Sequence, residues 1–194
     1  MATPDRNQAY QLLIQYNTSE HLIRHALAVE AVMRFFAQKY GHDPEKWGII
    51  GLIHDLDYDR YPDQHCIKTK EILAEEGWPE DWICSVVSHG WGICSEVEPE
   101  HFIEKVLFTT DELTGLIAAS ALIRPSKSIF DLQVASVKKG WKTKGFAAGV
   151  NREIIEKGAG MLQMDIDTII ADTIAAMRSV AKDIGLAGSL NHQN

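Results

Sequence analysis

Pro44-Glu45-Lys46-Trp47-Gly48-Ile49-Ile50-Gly51-Leu52-Ile53-His54-Asp55-Leu56-Asp57-Tyr58-Asp59-Arg60 holds the most informative transition in the chain. Asp43 before Pro44 is a helix start: a capping carboxylate, then a ring whose missing N–H costs nothing at the first helical position. Ile49, Ile50, Leu52 and Ile53 make the segment apolar nearly all round, as a central core helix is. His54-Asp55 stands where this run meets the polar loop 57–63, and an imidazole and a carboxylate there are costly to leave without partners. Metal coordination satisfies both groups; so would a salt bridge or hydrogen bonds to neighbours. The dipeptide alone does not choose.

Outward from this helix the chain reads as helix almost throughout. Asp5–Tyr16 forms a short amphipathic helix that breaks at Asn17-Thr18-Ser19. From Ser19 to about Tyr40, Leu22, Ala26, Val29, Met33 and Phe36 repeat at helical spacing, and Gly41 ends the run. Further helices are expected over Gln64–Glu76, from Pro79 to His89 and from Pro99 to about Ile123. After the basic segment 137–144, two more are expected over Asn151–Met161 and Asp167–Ile184. No alternating run supports a sheet. The expectation is one all-α domain: an N-terminal helix (1–18), a helical core (19–123), a C-terminal helical part (124–185) and a loose tail (186–194).

The length of 194 residues suits a single domain, and 45% hydrophobic with 24% charged residues is enough to bury a core. A net charge of −8 argues against a protein whose task is gripping polymeric nucleic acid or an anionic membrane. The three cysteines, Cys66, Cys84 and Cys94, show no CxxC spacing and read as reduced thiols. The start lacks the layout of a signal peptide, and no apolar run reaches membrane-spanning length. A soluble, cytoplasmic protein is expected.

Two residues far from the dipeptide share its chemistry. His25 lies on the apolar stripe of its helix with Leu22, Val29, Met33 and Phe36, so it points inward; alone it would read as a core histidine bonded to backbone. Asp111, in LFTTDELTGLIAA, sits mid-helix beside Leu107, Phe108 and Leu113, where a helix-end salt bridge explains it poorly. Imidazole and carboxylate ligands together suit iron, manganese, zinc or similar divalent ions.

The order H…HD…D, with RHALAVEAV around His25, GLIHDLDYD around the dipeptide and TTDELTGL around Asp111, resembles the HD superfamily of metal-dependent phosphohydrolases. The likeness covers roughly His21 to Ile123 and implies an all-α HD-domain bundle with His25, His54, Asp55 and Asp111 as metal ligands. Two-metal members, including HD-GYP-type phosphodiesterases, resemble H…HD…H…H…D, which places His65 and His89 at a second ion and makes Asp55 the bridge. The bland alternative leaves His65 in a loop and His89 at a helix end, favoured there by the dipole. His21 reads as peripheral, and His42, His101 and His192 as surface residues.

The implied activity is hydrolysis of a small phosphorylated metabolite or nucleotide, phosphomonoester or phosphodiester, with one or two divalent ions as cofactor and His54 and Asp55 at its centre. Such ions make water a nucleophile at ordinary pH and stabilise charge on phosphoryl oxygens. Lys68, Arg124, Lys127, Lys142 and Arg152 are candidate substrate-binding cations, although a charge run is usually a solvated face. The partners expected are the phosphorylated substrate and a second copy of the chain in a homodimer, with no nucleic-acid polymer and no membrane. Two rivals share the ligand pattern: a di-iron oxygenase of the same fold, such as myo-inositol oxygenase, and a non-catalytic nucleotide- or metal-binding module.

Overall fold

Capping side chains set the helix boundaries. Asp5 accepts from the backbone N–H of Gln8, and the Gln8 side chain accepts from the Asp5 N–H, a reciprocal cap that opens α1 (Arg6–Tyr16). Gly41 ends α2 (Glu20–Tyr40) in the left-handed conformation. Asp43 then caps α3 (Pro44–Leu52), accepting from Glu45 N–H at 2.8 Å. The computed structural model describes residues 3–189. It continues with α4 (Ile67–Glu75), α5 (Glu80–Val87), α6 (Phe102–Leu122), α7 (Val134–Lys142), α8 (Arg152–Leu162) and α9 (Ile166–Ser179). Short 3-10 turns occupy Pro62–Gln64 and Ser88–Gly90, and no strand occurs among the described residues.

The long helices α2 and α6 form the centre. α3 and α9 pack on α2, α7 and α8 pack on α6, and α2 meets α6 directly. α3 approaches α2 closely. A Cβ at Gly51 would stand 2.8 Å from Met33 Cγ and 3.0 Å from the Val29 carbonyl oxygen, so glycine is required there. That approach brings the end of α3, with His54, against the face of α2 that carries His25. Leu52 and Ile53 are fully buried beside it, and truncating either to alanine would cost about 2–5 kcal/mol. One cluster of buried side chains runs from Ala9 to Leu186, so the C-terminal helices share the core of the first ones.

Several expected boundaries move. α4 starts at Ile67 rather than Gln64, because the chain turns through Cys66 at φ 66°. His65 therefore precedes the helix. The Pro99 helix starts at Phe102, capped by His101 and Glu104, and Pro99 lies in the segment before it. α9 ends at Ser179 and gives way to turns. The basic segment is not a connector: 134–142 is helix α7, whose buried Val137 faces the core and whose lysines face outward. The tail is anchored at its beginning. Leu186 is buried and its carbonyl accepts from Ile129 N–H at 2.9 Å, while Ser189 N–H donates to the Ser126 carbonyl at 3.0 Å. The rest of the expected loose tail, with His192, lies outside the described residues. Trp47, Trp78 and Trp82 are core residues.

Candidate metal centre

Six side chains from five places in the chain converge beside α2 and α6. α2 supplies His25, the turn after α3 supplies His54 and Asp55, and the turn before α4 supplies His65. His89 comes from the 3-10 turn after α5, and Asp111 from the middle of α6. The polar neighbours of Asp111 are satisfied within their own helix. Thr110 donates its hydroxyl to the Val106 carbonyl at 2.8 Å, and Thr114 to the Thr110 carbonyl at 2.6 Å. Asp111 itself is left to face the histidines.

The donor atoms fall into two groups. In the first, His25 Nε2 lies 2.9 Å from Asp111 Oδ1 and 3.2 Å from His54 Nε2. His54 Nε2 lies 3.2 Å from the same Asp111 oxygen and 3.3 Å from Asp55 Oδ2. In the second, His65 Nε2 and His89 Nε2 are 3.1 Å apart, and lie 3.4 and 3.5 Å from Asp55 Oδ1. Asp55 thus turns one carboxylate oxygen to each group. Metal bonds of about 2.1 Å space neighbouring ligand atoms by roughly 3.0 Å in an octahedron and 3.4 Å in a tetrahedron. The observed spacings match that range.

The rings are oriented by what their other nitrogens do. His54 Nδ1–H donates to the Gly51 carbonyl at 2.8 Å, and His89 Nδ1–H to the Val86 carbonyl at 2.6 Å. In both cases a histidine three residues on takes up a carbonyl that the end of a helix leaves free. His65 Nδ1–H donates at 2.7 Å to Asp57 Oδ1, and the other oxygen of Asp57 accepts from Thr69 N–H at 2.8 Å. Asp57 is fully buried. With these Nδ1 atoms committed as donors, each Nε2 turns a lone pair to the cluster. His65 and His89 then face each other with lone pairs that only a shared proton or a metal ion can reconcile. The residues fit a divalent ion on donor chemistry and spacing alike.

The electrostatics agree. Burial disfavours a charged His54, yet Asp55 and Asp111 outweigh it and hold its pKa well above the ordinary imidazole value. For His65, likewise, burial is overcome by the Asp57 hydrogen bond and by Asp55, so its pKa is raised. Burial would push Asp55 towards its neutral form, but His54 and the other rings hold it well below the usual carboxylate range. Two largely shielded carboxylates among four imidazoles are a site that demands positive charge.

The cluster opens into a cavity of about 490 Å³. Leu22, Ala119, Val150 and Ile154 give it apolar walls, Tyr58 sets its ring edge-on to His65 at 5.0 Å, and His21 stands at its exposed edge. Glu112 also lines it. Burial, with Asp111 adding, pushes the Glu112 carboxyl up to about 7, and its Oε2 accepts from Asn151 N–H at 3.0 Å. No lysine or arginine among the described residues lines this cavity.

The five expected substrate-binding cations are therefore placed elsewhere. Lys68 is ion-paired with Glu71 at 2.6 Å. Arg124 pairs with Asp131 at 2.8 Å, and lies 13 residues beyond Asp111 on or just past the same helix, roughly 20 Å along its axis. Lys127 occupies the turn beyond it at φ 49°. Lys142 lines a separate surface depression with Lys138 and Asp167. Arg152 donates to the backbone carbonyls of Trp141, Phe146, Ala147 and Val150, and so braces the 146–150 segment that forms one cavity wall. Sequence reasoning assigns no role to Asp57 and Tyr58, which it places only at the mouth of the site, and does not point to Glu112 and Cys66, whose Sγ lies within ligand range of His65 and His89. Three of them sit in or beside irregular turns, where periodicity carries no signal. Arg60, also in that turn, stacks on Tyr16 and donates to the Gln15 carbonyl at 2.8 Å.

No helix among the described residues is long and apolar enough to cross a membrane. No solved structure matches the chain. The family model for the HD domain matches residues 22–120, which include all six converging side chains. With a match over more than half its length, the chain belongs to the HD-domain family, most of whose members are metal-dependent hydrolases.

Proposed function

We propose that this protein is a phosphohydrolase that holds two divalent ions and acts on a small phosphorylated metabolite or nucleotide. The observation that carries the reading is the placement of Asp55, one carboxylate oxygen directed to His25, His54 and Asp111 and the other to His65 and His89. Bound ions would supply a water of lowered pKa and Lewis-acid stabilisation of phosphoryl charge. The chain's own contribution is to fix the donors. Gly51, Val86 and Asp57 hold three imidazoles in the tautomer that leaves Nε2 free. Apolar walls limit water around the reacting group, which strengthens charge interactions within it. With no lysine or arginine among the described residues on those walls, bound ions would be the positive charge available to an anionic group of the substrate. The cavity volume of about 490 Å³ suits a metabolite or nucleotide rather than a polymer.

The test is a panel of phosphomonoesters and phosphodiesters offered to protein loaded with manganese, iron or zinc, with phosphate or alcohol release followed. Turnover that vanishes in Asp55→Asn supports the reading. Oxygen uptake by a di-iron form with no phosphoester turned over would overturn it.

A further inference from the structure

Beside the second group of donors lies a pair of thiols, one of which, Cys66, has its Sγ within ligand range of His65 and His89. Cys66 Sγ and Cys94 Sγ are 3.1 Å apart, though 28 residues separate them in sequence. Cys66 follows His65 directly, at a positive φ that is uncommon for a residue with a side chain. Cys66 is buried at 3% exposure, whereas Cys94 is partly exposed and lines both the metal cavity and a second surface cavity. Gly90, which follows His89, makes room for them: a Cβ there would overlap both sulfur atoms. The third cysteine, Cys84, is exposed on α5 and takes no part.

We propose that Cys66 and Cys94 form an oxidisable dithiol that hydrogen peroxide closes to a disulfide, and that closure weakens the second metal position. Cys94 is the accessible partner and attacks one peroxide oxygen. The O–O bond breaks, a sulfenic acid forms on Cys94, and the other oxygen leaves as water. Cys66 sulfur then attacks Cys94 sulfur, the S–S bond forms, and a second water leaves with the hydroxyl of the sulfenic acid and the thiol proton. Two thiols and one hydrogen peroxide thus give one disulfide and two waters. A disulfide requires the sulfurs at about 2.05 Å. Closing from 3.1 Å therefore shifts the sulfurs by about 1 Å, taken up in the turn that carries His65 and in the Trp91–Ser95 turn, whose Cys94 N–H is bonded to the Gly90 carbonyl next to His89. Displacement of that size in the support of a ligand lowers metal affinity by about 10–100-fold. The coupling to metal rests on the two-ion reading above; the thiol chemistry does not.

The experiment uses the full chain, reduced, freed of reductant and treated with stoichiometric hydrogen peroxide. The expected result is that titratable thiols fall from three to one, that the intact mass drops by two hydrogens, and that peptide mapping links Cys66 to Cys94 with Cys84 free. Cys84→Ser should show the same link, and Cys66→Ser none. Loss of thiols without that link, or a link through Cys84, would overturn the dithiol. Manganese titration of the two forms then reads the coupling. At least about tenfold weaker binding of the second ion in the oxidised form, restored by dithiothreitol, supports it, and equal affinity in both forms overturns it. The thiol arm needs no metal, so a reduced protein that takes up one ion counts against the two-ion reading alone.

Discussion

Replacing Asp57 by asparagine keeps shape and volume but exchanges one acceptor for a donor. Both partners of this buried carboxylate are donors, His65 Nδ1–H at 2.7 Å and Thr69 N–H at 2.8 Å, so the amide can satisfy only one of them. If its oxygen faces Thr69, its NH₂ faces His65. The ring proton then moves to Nε2, and the lone pair offered to the second ion is lost. If its oxygen faces His65, two donors confront each other in a dry site at a cost of about 1–3 kcal/mol. The first outcome avoids that cost at the expense of metal binding, so the ring should re-tautomerise. The expected effect is a 10–100-fold loss of affinity for the second ion, or roughly 1.4–2.7 kcal/mol, with the first ion unaffected. Calorimetric titration with manganese, paired with thermal melts of the metal-free protein, reads both quantities. Wild-type affinity at both positions together with a wild-type melting temperature would refute the assigned role of Asp57.

Three other outcomes follow from the same geometry. His65→Ala or His89→Ala should reduce bound metal from two ions towards one, and Asp55→Asn should weaken both; elemental mass spectrometry of the purified variants checks this. His54 has a folded-state pKa raised above the ordinary imidazole value, so its protonation stabilises the metal-free protein fully below pH ~6.5, and that stability is lost as pH rises through the folded pKa. Metal must displace this proton, so the rise in melting temperature on adding manganese should grow with pH between about 6 and 9, and a flat profile would contradict the assignment. Asp59 Oδ2 accepts from Thr18 N–H at 2.7 Å and Ser19 N–H at 3.1 Å, which pins the turn before α2 to the loop after the dipeptide. These backbone bonds depress its pKa. Asp59→Ala should therefore lower stability slightly at neutral pH, and the difference from wild type should shrink as pH falls through the depressed pKa, as melts between pH 3 and 7 would show.

The residues that could be read in advance were those whose environment repeats along a helix. His25 and Asp111 betray themselves because a polar side chain interrupts an apolar stripe, and His54-Asp55 because it ends an apolar run. His65 and His89 could be placed only through likeness to a family, since each sits in a turn of no regular period. Asp57 could be placed near the mouth of the site but not given a role, for the same reason: nothing in Leu56-Asp57-Tyr58 tells a buried carboxylate from a solvated one. The cations were misplaced by reasoning from charge. Arg124 looked close to Asp111 because one helix carries the chain from one to the other, but helical rise separates them and Asp131 takes up the guanidinium. Arg152 donates to backbone because four carbonyls converge where α8 begins. Helix α7 hid behind its lysines, which cover an amphipathic face with few apolar positions.

The most direct measurement is anomalous diffraction from crystals grown with manganese. Two peaks about 3.5–4 Å apart are predicted, one within bonding distance of His25, His54, Asp55 and Asp111, the other of Asp55, His65 and His89. A single peak that leaves His65 and His89 unliganded, or an Asp111 carboxylate turned away from His25 and His54, would contradict it.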